Sequence, residues 1–138
     1  MTSTLQGILN TLQEQVMDET SVSVCDTAWR TGTTNYPHAE LIVFGGETDD
    51  GVSSVIDNNY GIMFRIRSNS RDGTQIALEE IQVLWKDTRN ELFTALNALG
   101  LINIQPVFIS PATAFAGSTT VPSEGSIQFL MTVRYSYT

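Results

Sequence analysis

His38 and Cys25 are the only imidazole and the only thiol in the chain. Any Ser-His-Asp or Cys-His arrangement must therefore run through His38, which stands between Pro37 and Ala39 at the start of an apolar stretch. No G-x-S-x-G turn and no family-like cysteine context surrounds a nucleophile. The pattern favours a histidine that is exposed or satisfied by a neighbour over a catalytic base, so no catalytic residue is assigned. Cys25 has no nearby His or Lys to lower its pKa and is expected as a small buried hydrophobe. One His and one Cys cannot close a tetrahedral zinc site without two carboxylates, and no metal ligand is assigned.

Three other clusters carry charge. Glu47, Asp49, Asp50 and Asp57 offer oxygen ligands of the kind calcium takes, but they lack the D-x-[DN]-x-[DN]-G spacing and its terminal Glu, and read as a solvated acidic loop. Gly45-Gly46 is followed by Glu and Asp rather than by a helix with Lys, which excludes a phosphate loop on charge grounds. Arg65 and Arg67 share one strand face, with Arg71 close behind. Their readings are a phosphate contact, a salt bridge to an acidic patch on another subunit, or a solvated face with pairing inside the chain. Asp49 and Asp50 supply the complementary charge, so Arg65, Arg67, Arg71, Asp49, Asp50 and Arg134 are the expected contacts between subunits. No cofactor is implied.

Composition sets the frame for these clusters. The 138 residues include seven Lys or Arg against 15 Asp or Glu, for a net charge of −8. Seven cations are few for neutralising a nucleic-acid backbone. Charged residues make up 16%, well below the usual ~25%, and Ser and Thr together outnumber them. Such a surface is compatible with being covered, because burying an ion requires desolvation and pairing while a hydroxyl or amide needs only a hydrogen bond. A strand-rich domain explains the threonine equally well. No apolar run approaches the ~20 residues of a membrane span, and Met1 leads into Thr2, Ser3 and Thr4 without a basic segment. The expectation is one soluble domain over residues 1–138.

The elements that must position these residues follow from periodicity. Leu5, Ile8, Leu9, Leu12 and Val16 form one helical face, with Ser3 and Gln6 as a capping box and an end near Met17. Val22 and Val24 alternate with serines in a strand running toward Trp29, and Ala39 to Phe44 makes a second strand closed by Gly45-Gly46. Residues 45–59 read as a projecting loop, with Val52, Val55 and Ile56 able to make part of a hairpin. Tyr60, Ile62, Phe64 and Ile66 alternate with Gly61, Met63, Arg65 and Arg67 in a third strand.

After a turn at Ser70 to Gly73, with Thr74 as cap, periodicity from Ala77 to Leu99 gives one helix of about seven turns or two joined near Asp87, closed by Gly100. Ile102 to Ile109 is a strand that Pro106 assigns to an edge or a bulge. Residues 110–125 read as a second long loop. In the last strand Ile127, Phe129, Met131, Val133, Tyr135 and Tyr137 point one way. At ~3.4 Å per residue it is long enough to overhang its own sheet or reach a partner, unless a bulge and a frayed end shorten it. The predicted class is α+β: a mainly antiparallel (mixed) sheet with two amphipathic helices on one face, in the order α-β-β-β-α-β-β.

This order resembles the tail terminator (tail completion) proteins of long-tailed bacteriophages. The resemblance lies in the amphipathic start at Leu5 to Val16, the Tyr36-Pro37-His38 lead into an apolar strand, the strand at Tyr60 to Arg67 followed by a long helix, and the alternating last strand through Val133-Arg134-Tyr135. It implies a structural protein without an active site: a subunit of a hexameric ring at the head-proximal end of the virion tail, assembled in the host cytoplasm. Such a ring stops tube polymerisation and joins tail to neck. Its implied partners are further copies of itself, the tail tube protein and a neck or head-tail connector protein, with DNA passing through the lumen without being gripped. An acidic lumen repels phosphates over a Debye length of ~8 Å. A head-tail stopper subunit and a tube subunit are the nearest alternatives. From a different class, a small ligand-binding or enzymatic α+β domain would use a pocket between helix and sheet lined by Trp85, Tyr60 and His38.

Overall fold

A computed structural model of the chain describes residues 3–26, 36–52, 54–85, 91–113 and 123–136, the side chains at 49–52, 91–92 and 136 excepted. The elements run α1 (Thr4–Glu19), β1 (Val24–Asp26), β2 (His38–Val52), β3 (Val55–Ser68), α2 (Arg71–Leu84), α3 (Glu91–Leu99), β4 (Leu101–Thr113) and β5 (Ser123–Ser136). The architecture is α+β, with a five-stranded mixed sheet in the order β1-β2-β3-β5-β4. Only the β1–β2 pair is parallel. Three helices replace the expected two: the periodic segment from Ala77 to Leu99 divides into α2 and α3, with 86–90 outside the described residues.

Helix α1 buries Ile8, Leu9, Leu12 and Val16, the face its spacing dictates. Ser3 caps it by accepting from the Gln6 N–H at 3.1 Å. The reciprocal half of the expected capping box is missing, because the Gln6 amide donates instead to Asn10 Oδ1 at 2.8 Å. In α2 the cap is Ser70 rather than Thr74, accepting from the Gly73 N–H at 3.0 Å. The helix thus starts at Arg71 inside the expected turn, and buried Thr74 donates its hydroxyl to the Ser70 carbonyl at 3.2 Å. Gly100 ends α3 with φ 114°, where a side chain is strained, and its carbonyl accepts from the Arg134 N–H at 2.7 Å.

Residues 45–52 and 55–59 are paired strand rather than irregular loop, with Val52, Val55 and Ile56 in the hairpin that the sequence allows. β2 and β3 stay paired from His38 opposite Arg67 to Val52 opposite Val55. Gly45-Gly46 does not close the strand but lies in a register shift between Phe44 and Glu47, where a Cβ on Gly46 would collide with the Asn59 carbonyl. A bulge of this kind adds a residue and twist without ending the ladder. The second expected loop is also shorter: β4 continues to Thr113 and β5 begins at Ser123, with 114–122 outside the described residues. Over its described residues the last strand does not overhang, since β3 pairs it from Val55–Ser136 to Ser68–Ser123, with 137–138 outside the described residues.

All three helices contribute to one core against a single face of the sheet. Alternate residues of β5 (Ile127, Phe129, Met131, Val133) and of β3 (Ile62, Phe64, Ile66) are buried there with Ala39 and Leu41 of β2. Phe129 is central, with edge-to-face ring contacts to Phe64 at 5.9 Å and to Trp85 at 6.4 Å. Strand β4 forms the outer edge beside β5, and Pro106 sits at one of its register shifts, as a residue lacking an N–H requires.

Candidate functional site

Because side chains alternate, the residues that skip the core are gathered on the opposite face of the sheet, which no described helix covers. Register assigns the rows. Phe44, Gly61, Leu130 and Gln105 align across β2, β3, β5 and β4, and the adjacent row is Ile42, Met63, Gln128 and Phe108. Phe108 is 57% exposed, Leu130 49% and Phe44 42%, with the Phe44 ring lying over Gly61, where a Cβ would displace it. The result is an apolar band across four strands, on a face where alternation would otherwise place polar groups.

Charge borders the band on both sides. On one side Glu124 bridges two arginines, bonding Arg65 Nε through Oε1 and Arg67 Nε at 3.2 Å through Oε2. A cavity of about 480 Å³ opens beside them, lined by Met63, Arg65, Thr113, Glu124 and Ser126 among others. On the other side Arg134 binds Asp57, and Thr132 donates to Asn59 Oδ1 at 2.7 Å. Arg65, Arg67 and Arg134, three of the expected contact residues, are therefore on this face, each with a carboxylate of its own chain. Arg71 is apart from them, at the exposed first turn of α2. The side chains of Asp49 and Asp50 lie outside the described residues; their backbones are in β2, with Asp49 opposite Asp57.

His38 belongs to the same face but is buried, and its Nε2 is 2.9 Å from Asp26 Oδ2. It is a satisfied histidine, one of the two states its sequence context favours. Cys25 is in register with Ala39 on the core side, so the thiol and the imidazole occupy opposite faces of the sheet and cannot form a dyad. Burial, reinforced by the charge of Asp26, pushes the Cys25 thiol up to about 12. Trp85, Tyr60 and His38 do not line one pocket either. Trp85 is in the core and Tyr60 packs against it, while His38 pairs with Arg67, seven residues along β3 and ~23 Å away at strand spacing. Among the described residues no group of three or more His, Cys, Asp or Glu is placed to hold a metal ion, and no described helix is long and apolar enough to cross a membrane.

A second exposed apolar surface is on the outward side of α2. Thr74, Ala77, Leu78 and Ile81 face the core, whereas Ile76 and Val83, two turns apart, are 53% and 67% exposed. They line a groove of about 450 Å³ with Leu84 and the carboxylates of Glu19, Glu79 and Glu80. Sequence reasoning missed this stripe because the core-facing periodicity of α2 absorbs attention. It missed Glu124 because that residue fell in an expected loop. Leu130 was detectable as the one large apolar residue on the polar side of β5.

No protein-family model matches the chain, and no curated protein matches its sequence.

Proposed function

We propose that the chain is a structural subunit of a phage tail assembly, of the tail terminator kind. Six copies close into a ring on the head-proximal end of the tail tube, stop its growth and present a surface to the neck. The carrying observation is the open face of the sheet: a wide, ordered surface with exposed Phe44, Phe108 and Leu130 between two rows of charges that already hold partners. Apolar groups ringed by satisfied polar ones are the anatomy of an interface core and rim. The resemblance in element order supports the particular assembly, with tail tube protein and a neck or connector protein as the partners. The chain runs α-β-β-β-α-α-β-β, one helix more than the order on which that resemblance was drawn.

The function is mechanical, so it asks for surfaces rather than for a reactive group. At −8 per copy a ring repels DNA passing through it and so serves as a conduit. A stopper or tube subunit would use the same surfaces toward a different neighbour. Negative-stain imaging and native mass spectrometry of the purified protein, alone and with tail tube protein, test the reading. Six-membered rings, free or at one end of short tubes, are expected. A strict monomer that joins neither ring nor tube removes it.

A further inference from the structure

Helix α2 carries a second stripe opposite its core face. Ile76, Glu79, Glu80 and Val83 fall at i, i+3, i+4 and i+7, so they share the side turned away from Thr74, Ala77, Leu78 and Ile81. The two apolar residues are ~10.5 Å apart along the helix axis, at ~1.5 Å per residue, with the two acids between them. Glu19, the last residue of α1, lines the same groove of about 450 Å³. Glu80 is fixed in place because the Ser21 hydroxyl and N–H both donate to its Oε1. Ser21 is neutral, so the bond positions that carboxylate without cancelling its charge.

Every electrostatic feature of this groove has one sign. Three carboxylates line it and no Lys or Arg does. Two helix C-termini also meet there, since Glu19 ends α1 and Val83 and Leu84 end α2, and neither helix has a basic residue in its last turn. A helix C-terminus carries about half a unit of negative charge, which a cation offsets. The groove therefore asks for apolar surface and positive charge together. We propose that it receives a basic amphipathic helix of another protein, whose apolar side chains at i and i+7 seat on Ile76 and Val83 and whose Lys or Arg residues stand beside Glu19, Glu79 and Glu80. A partner running antiparallel to α2 also sets its positive N-terminal end beside the C-terminal end of α2.

Charge points away from a second copy of the chain as the occupant. Arg65 and Arg67 are bound by Glu124 and Arg134 by Asp57 of their own chain, and Arg71 is at the opposite end of α2 from Val83, while Arg30, Lys86 and Arg89 lie outside the described residues. The α2 face of a second copy would bring three more carboxylates. A two-turn contact is small beside the ~800 Å² per partner of a standard interface, so an affinity of ~10–100 μM is expected, weakening as salt rises. The contact does not depend on ring closure, and imaging of rings and binding of a helix fail separately.

The probe is a synthetic 15-residue peptide of leucine and lysine, with leucines every three or four residues, set against a shuffled peptide of the same composition. Binding is read by fluorescence anisotropy and mapped by backbone amide shifts in NMR spectra. Val83→Ser and Glu79→Lys alter exposed side chains outside the core, and circular dichroism checks their folding. Wild type is expected to bind the patterned peptide, with shifts confined to α2 and the end of α1, and each variant to bind about tenfold more weakly or worse. The shuffled peptide is expected to bind as weakly as the variants do to the patterned one. A wild type that does not bind the patterned peptide overturns the proposal, as do variants that bind it like wild type or a shuffled peptide that binds equally well. Shifts at Phe108 and Leu130 would move the site to the sheet face. Self-association of wild type in sedimentation velocity that Val83→Ser abolishes would make a second copy the occupant, and also overturn it.

Discussion

Arg134 and Asp57 are opposite each other on β5 and β3, and the guanidinium holds the carboxylate with two parallel hydrogen bonds, Nε to Oδ1 at 2.7 Å and Nη2 to Oδ2 at 2.8 Å. The bidentate geometry is the strongest form of this pair, fixed here by the strand register rather than by flexible side chains alone. The bond and charge of Arg134 hold the Asp57 carboxyl below its ordinary range. A carboxyl with a depressed pKa in the folded state stabilises that state above its unfolded pKa of ~3.9, and the contribution is lost as pH falls through the folded value.

Asp57→Asn should therefore lower the melting temperature slightly at neutral pH and not at all in strong acid. Both side chains are solvent-accessible, so salt should shrink the difference. Thermal unfolding of the two proteins between pH 2 and 7, at low and high ionic strength, checks this. A difference that grows on acidification would contradict it.

Phe129 sets the cost of disturbing the core. It is fully buried, and its edge-to-face contacts to Phe64 and Trp85 join β5 to β3 and to the end of α2. Phe129→Ala removes a ring from a site walled by three elements, and should cost ~3–5 kcal/mol in urea unfolding. Phe129→Leu should cost less, since it keeps most of the volume.

How far this architecture was legible depends on the local rule involved. The alternation of Ile127, Phe129, Met131 and Val133 fixes which side of β5 is buried, and the same rule holds for Ile62, Phe64 and Ile66. Gly45-Gly46 misleads, because a glycine pair signals a turn and a bulge equally, and only pairing with β3 decides. Ser70 against Thr74 is a similar choice: Ser70 takes the Gly73 N–H, and Thr74 is buried inside the first turn with the Ser70 and Ser123 carbonyls both within reach of its hydroxyl. The arginines of the open face were identifiable as a pair from spacing. Their bridging partner Glu124 was not, because it comes from a strand start 57 residues beyond Arg67. Long-range register, not propensity, assembled that part of the site.

Two glycines should respond oppositely to alanine. Gly7 is inside α1 with open space where a Cβ would be, so Gly7→Ala should stabilise by ~0.5–1 kcal/mol through helix propensity alone. Gly100 has φ 114°, and its Cβ would meet the Arg134 carbonyl. Gly100→Ala should cost at least ~1–3 kcal/mol, the range for holding a non-glycine residue in a left-handed conformation. Denaturant unfolding of both variants provides the contrast, and equal effects would mean that the α3–β4 junction relaxes freely.

The buried thiol reports on the folded state without any substitution. Cys25 is in β1, in register with Ala39, with its side chain in the core and its pKa pushed up to about 12. At pH 8 almost none of it is thiolate, and the thiolate is the reactive species. A disulfide reagent added to the native protein should therefore react far more slowly than with the same protein in urea. The native rate is limited by opening of β1, a three-residue strand paired on one side only among the described residues. Raising the pH from 7 to 9 should change the native rate less than the unfolded one if opening limits it. Rapid native labelling would show that β1 leaves the sheet easily.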